Sequence, residues 1–167
     1  NELSLICEEI NIDIKELINL TNRHPRVNIL NPGCGVGGHC IAIDPWFIIS
    51  QFPTKSHLLQ TARKVNIKKT QWVLKKIKKI TEEFEYKYER KAIIGCLGLA
   101  FKPNVDDLRE SPALNITKNL ISDKYRVFAS EPNITSYEGV ELYDFIEVIN
   151  KADLVFKLVD HKEFKFL

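Results

Sequence analysis

The chain has 167 residues, 44% of them hydrophobic and 28% charged, with a formal net charge of +2. That length can bury a core in one ordinary domain or two small ones. So small a charge excludes a strong electrostatic case for nucleic acid or an anionic membrane surface, and no apolar run reaches the ~18–20 residues of a membrane span.

Leu3, Ile6, Cys7 and Ile10 fall at i, i+3, i+4 and i+7, which predicts a helix broken at Asn11 and Ile12. Asp13, with Glu16 three positions on, reads as a capping box opening a second helix to about Arg23, which Pro25 ends. Val27 to Leu30 reads as a short extended stretch. It leads into PGCGVGGHCIAIDPWF at residues 32–47, where Asp44 reads as a helix N-cap and Pro45 as the first helical residue. Phe52-Pro53 closes that helix. From Ser56 to about Tyr88 the pattern is helical and lysine-rich. Val73, Ile77, Ile80 and Phe84 lie on one face, and Lys75, Lys76, Lys78 and Lys79 lie mostly off it.

At Lys91 the character changes. Ala92 to Leu97 is a short apolar run like a buried parallel strand. Ser111-Pro112 starts a helix to about Ser122, Tyr125 to Ala129 reads as strand, Tyr143 to Asn150 as helix, and Asp153 to Val159 as strand. This alternation implies an α/β unit with a parallel sheet built from βαβ crossovers. The closing KEFKFL reads as the start of a further element. The chain begins at Asn and contains no Met, so both ends are read as cuts.

Cys7, Cys34, Cys40 and Cys96 show no CxxC spacing, which favours free thiols in a reducing compartment, hence a cytoplasmic location. The glycine loop admits several readings. Gly33, Gly35 and Gly38 match G-x-G-x-x-G, but no acid occurs between Asp44 and Glu82 where a dinucleotide fingerprint needs one, so that reading is rejected. Cys34, His39 and Cys40 fit no zinc spacing, and no metal is expected. Two readings stay open on local chemistry. Cys40 is either a small buried hydrophobe in a tight turn or a nucleophile held before a helix N-terminus, where a thiolate is favoured. The basic face of the long helix is read as solvated rather than as a nucleic-acid site, because the acidic run from Glu82 to Glu89 follows at once.

RHPRVNILNPGCGVGGHCIAIDPWF (residues 23–47) and GLAFKPNVDDLRESPAL (residues 98–114) together closely resemble the UDP-glucose/GDP-mannose dehydrogenase family. Within it the sequence looks most like the branch acting at C6 of UDP-N-acetyl-D-mannosamine. The resemblance implies a central helical dimerisation region with a catalytic cysteine loop at residues 1–88. It implies an incomplete C-terminal UDP-sugar-binding Rossmann-like domain at residues 89–167, truncated at both ends. It further implies an NAD-dependent, two-step oxidation of a sugar alcohol to a uronate for cell-surface polysaccharide precursors, in a homodimer formed through the central helices.

By motif position, Cys40 would be the nucleophile and Asp44 the acid that helps organise the hydrolytic water. His24 and Arg26 would reach the sugar nucleotide from the neighbouring subunit. Gly37 would lie against the sugar, Phe101 and Lys102 would touch the UDP-sugar, and Arg109 would reach NAD. The family's catalytic lysine and nicotinamide-binding half precede the matched segment, so this segment alone is expected not to turn over. UDP-N-acetylglucosamine, UDP-N-acetylgalactosamine and UDP-glucose are alternative substrates, and a non-catalytic UDP-sugar-binding module is the alternative class.

Overall fold

The computed structural model describes residues 1–165. Four helices come first: α1 (Glu2–Glu9), α2 (Ile14–Thr21), α3 (Asp44–Gln51) and α4 (His57–Tyr88). An alternating unit follows: β1 (Ile93–Leu97), α5 (Pro112–Ser122), β2 (Arg126–Ser130), α6 (Phe145–Lys151) and β3 (Leu154–Lys157), with a 3-10 turn at Lys162–Phe164. The expected element at KEFKFL is thus a single 3-10 turn as far as it is described; Phe166 and Leu167 lie outside the described residues.

The three strands are parallel, in the order β2-β1-β3. Leu97 at the carboxyl end of β1 pairs with Ser130 on one side and Lys157 on the other. Residues alternate across β1. Ile94 and Cys96 pack with Ile116 and Leu120 of α5 and Ile77 of α4, while Leu97 on the opposite face packs with Phe128, Val148 of α6 and Phe164. Burying each large aliphatic side chain in these clusters contributes about 1.5–3 kcal/mol. The 32-residue α4, about 48 Å long at 1.5 Å per residue, packs against α1, α3 and α5 and so joins the helical part to the sheet. Its exit is clamped where Arg90 grips Asp153 through two hydrogen bonds, at 2.8 and 2.5 Å. Asp153 also accepts from the Ile93 N–H at the start of β1.

Local signals placed several helix ends correctly. Ser111 caps α5 by accepting from the Leu114 N–H, with Pro112 in the first turn. Asp13 caps α2 by accepting from the Lys15 N–H, but among the described residues Glu16 makes no reciprocal bond to complete a capping box.

Two expectations are corrected. The residue before α3 is Ile43 rather than Asp44, which is the first helical residue and makes no capping bond. The cause is the Cys40 carbonyl, which already accepts from Ile43 and Asp44 (3.0 and 2.8 Å) and so closes a turn one step earlier. The stretch at residues 27–30 pairs with no strand; the Asn22 side chain clasps both backbone groups of Ile29. Lys69 is buried rather than solvated (6% exposed). Its ammonium donates to Ser4 Oγ at 2.8 Å and lies 4.3 Å from the centre of the Trp72 ring, and burial pushes its pKa down.

Candidate active site at the carboxyl end of the sheet

The connection from β1 through α5 runs to β2 on one side, and the next, through α6, places β3 on the other side of β1. In open α/β sheets, ligands bind outside the carboxyl ends of the strands where the order reverses in this way. Two loops rim that crevice: residues 98–111 after β1 and residues 158–161 after β3.

The glycine loop lies over both. Its Gly38 N–H donates to the Arg109 carbonyl at 3.0 Å, and the Cys34 thiol donates to the Leu158 carbonyl at 3.4 Å. From beneath, α4 holds the loop with two polar side chains. Asn66 pairs with both backbone groups of Val36 (2.7 and 2.9 Å), and Thr70 donates to the Cys34 carbonyl at 2.8 Å. Nothing in the spacing of Asn66 or Thr70 marks them in the sequence, because their partners lie thirty or more residues away.

Gly37 is needed for close approach. A Cβ there would stand 2.4 Å from the Glu110 carbonyl oxygen, 2.8 Å from Pro112 Cδ and 2.9 Å from Phe101 Cβ. The space that a side chain would occupy is therefore filled by the loop after β1. Gly38, at φ +92°, lies on the Phe101 ring, with its Cβ position 3.0 Å from the nearest ring carbon.

Cys40 is exposed, and Asp44 is exposed one turn further along. Cys40 lies on the exposed rim of the glycine loop, and Asp44 opens α3. Cys34, by contrast, is half-buried, and burial pushes its thiol up to about 11 against a smaller opposing pull from Lys69. Arg109 is exposed beside this rim. Its guanidinium is held in a fork by Asp107 (2.7 to 3.1 Å) and reaches His39 Nδ1 at 3.0 Å. The Arg109 bonds hold the Asp107 carboxyl down at about 2. Asp107 foremost, and also Cys40, favours the charged Arg109. His39, which the sequence suggests only as a metal ligand, partners an arginine here.

Phe101 is half-buried and Lys102 exposed, with the Lys102 ammonium 5.4 Å from the Phe101 ring centre. Together with Gly37 they line a groove of about 1120 Å³ that runs on past Ile41 to Lys157 and Asp160. Thus Gly37, Phe101, Lys102 and Arg109 are brought together with the Cys40 loop. His24 and Arg26 are not. They lie exposed in the turn after α2, where the Arg26 N–H donates to His24 Nδ1, and among the described residues neither side chain bonds to the crevice. Glu131 and His161, which the sequence did not single out, meet fully buried beneath the loop after β1, 3.1 Å apart.

Comparison with known proteins finds two family segments in the chain. Residues 1–68 match the central domain, and residues 95–167 the UDP binding domain, of the UDP-glucose/GDP-mannose dehydrogenase family. The chain is 48% identical, over 100% of its length and 40% of the relative's, to an NDP-N-acetyl-D-galactosaminuronic acid dehydrogenase of Ralstonia solanacearum. It is also 48% identical to a UDP-N-acetyl-D-mannosamine dehydrogenase of Campylobacter jejuni, over 98% of this chain and 41% of the relative. A solved UDP-N-acetyl-mannosamine dehydrogenase structure, Cap5O from Staphylococcus aureus, superposes with a TM-score of 0.81 at 40% identity, over 99% of this chain and 38% of that one. The chain therefore spans about two fifths of the length of these relatives.

Proposed function

The chain belongs to the UDP-glucose/GDP-mannose dehydrogenase family, and from that premise we propose that the full-length protein oxidises C6 of UDP-N-acetyl-D-mannosamine to the uronate. The single observation that carries this reading is the Gly38–Arg109 hydrogen bond with the close Gly37–Phe101 packing. It joins an exposed thiol to the nucleotide-receiving end of a parallel sheet. A division at residues 88/89, between α4 and the strand that opens the sheet, separates the cysteine-bearing region from the UDP-sugar-binding one.

NAD⁺, when bound, supplies the hydride acceptor for both oxidations. Within this chain, Arg109 fits a contact to it: the side chain is exposed, Nε and Nη2 are fixed by Asp107 and His39, and Nη1 forms no hydrogen bond among the described residues. The remaining chemistry belongs to the chain and its substrate. The Cys40 thiolate adds to the C6 aldehyde left by the first oxidation, forming a C–S bond and a thiohemiacetal that keeps the aldehyde from leaving. Loss of the C6 hydride together with the hydroxyl proton makes a thioester. Water then attacks the carbonyl carbon, its two protons pass to solvent, the C–S bond breaks, and carboxylate and thiolate separate. Asp44, free of a capping role and one turn from Cys40, holds that water. Phe101, Lys102 and the backbone at Gly37 receive the UDP-sugar, with the lysine offsetting diphosphate charge. His24 and Arg26 reach the sugar nucleotide of a second subunit.

That second subunit packs on the central helices, where Leu3, Ile6 and Ile10 of the α1 stripe and Trp46, Phe47 and Ile48 of α3 are exposed. Four free thiols suit a reducing cytoplasm. Among the described residues, no helix is long and apolar enough to cross a membrane. The equal identity to the Ralstonia relative makes UDP-N-acetylgalactosamine the second substrate reading. Assay of the full-length protein with NAD⁺ and each UDP-sugar, following NADH and the uronate, decides. Two NADH per uronate with UDP-N-acetyl-D-mannosamine preferred is the expected result, and no turnover on any UDP-sugar overturns the reading.

A further inference from the structure

Phe101 and Lys102 sit between two tethered points of their loop. On one side, Glu131 Oε2 accepts from the N–H groups of Leu99 and Ala100 at 2.7 and 2.9 Å. On the other, the Asn104 N–H donates to His161 Nδ1 at 3.0 Å, and Asn104 Oδ1 accepts from the Lys162 N–H at 2.9 Å. Asn104 itself is held in the left-handed region at φ +60°, a conformation that needs such ties. Glu131 directly follows β2, and His161 lies just beyond β3. The loops leaving all three strands therefore converge on one carboxylate and one imidazole.

Both side chains are fully buried. A buried carboxylate is costly unless its oxygens are satisfied, and here they are. Oε1 accepts from the backbone N–H and the side-chain amide of Asn133 at 3.2 and 3.1 Å, while Oε2 accepts from Leu99 and Ala100 and faces His161 Nε2 in an ion-pair contact bent away from hydrogen-bond alignment. Burial alone would raise this carboxyl, but His161 and the three backbone N–H groups outweigh it and hold it down at about 2. Because His161 Nδ1 accepts a backbone N–H, the ring proton is assigned to Nε2, which lies 3.1 Å from Glu131 Oε2.

We propose that Glu131 and His161 are positioning residues: a buried staple that pre-sets residues 99–104 so that Phe101 and Lys102 meet a uridine diphosphate without first ordering the loop. The inference rests on the UDP-sugar reading of the crevice. Pre-ordering of this kind strengthens binding by removing an entropic cost rather than by adding a contact. A role in general stability would lower the folded fraction alike whatever stands at position 102. A role through the loop must couple to Lys102.

The test uses the full-length protein and UDP as the probe, with calorimetric binding, melting and steady-state kinetics for His161→Gln, Lys102→Ala and the double variant. His161→Gln is expected to weaken UDP binding about tenfold and to raise KM for the UDP-sugar similarly. The kcat per folded enzyme should stay within about twofold. In the Lys102→Ala background the further loss should be clearly smaller. Unchanged UDP affinity in folded His161→Gln, or losses that simply multiply, overturns the proposal. If His161→Gln does not fold, Asn104→Gly replaces it. This keeps the left-handed backbone and its N–H but deletes the Lys162 tie, and a loss of about threefold in UDP affinity is expected; no loss overturns the proposal. Wild-type protein that binds no UDP overturns the functional reading itself, and this inference with it; wild-type binding with unaltered variants overturns this inference alone.

Discussion

The Gly38 N–H and the Arg109 carbonyl are 3.0 Å apart, and this bond ties the loop carrying Cys40 to the loop that leaves β1. The tie works only because Gly37, next in line, has no side chain to wedge the two loops apart.

Gly37→Ala should therefore be costly. The added methyl meets the backbone oxygen of Glu110 at 2.4 Å, which cannot swing away as a side chain can. Overpacking of this kind costs about 1–3 kcal/mol, read as a lowered urea midpoint. Gly33→Ala is the control: nothing lies within 4 Å of its Cβ position, and its effect should stay within about 0.5 kcal/mol. Equal effects for the two variants would contradict the packing described.

Acid should expose the Glu131 staple. Its folded-state pKa is depressed to about 2 from an ordinary 4.5, so it contributes stability that is fully present above about pH 4.5. That contribution is lost as pH falls through the folded value near 2. By linkage it is on the order of 3 kcal/mol. Asp107 and Asp153 are also held at about 2 and add to the wild-type slope. The measurement is thus the difference between wild type and Glu131→Gln in urea midpoint from pH 5 to pH 2. The variant should be less stable at pH 5 and lose less on acidification; parallel curves would contradict the assignment.

The four thiols should label in a fixed order. Cys40 is exposed and Cys7 is buried. Burial raises Cys34 to about 11 and Cys96 to about 12. Brief iodoacetamide treatment at neutral pH, read by peptide mass spectrometry, should modify Cys40 first and the others only on unfolding. Labelling of Cys34 ahead of Cys40 would contradict the arrangement.

Much of the sheet was legible because its signals are local: the apolar run at β1, and the Ser111 hydroxyl and Pro112 opening α5. What was not legible depends on distant partners. The apolar spacing on α1 marks Leu3, Ile6, Cys7 and Ile10; of these only Cys7 is buried, beside Ser4, while the other three are exposed, because α4 offers Lys69 and Lys76 to that side. Asp44 looked like an N-cap because a carboxylate before proline usually is one, but the Cys40 carbonyl closed the turn first. The motif residues Gly37, Phe101, Lys102 and Arg109 were identifiable one by one. Their convergence depends on Asn66 and Thr70 of α4 and on the Glu131–His161 pair, whose members come together only once the strand order is set.

The most direct test of the account is product analysis of full-length Cys40→Ser with NAD⁺ and UDP-N-acetyl-D-mannosamine. With no thiolate to capture the aldehyde, uronate formation should collapse, and any oxidation should stop at the aldehyde level. Uronate made at the wild-type rate would contradict it.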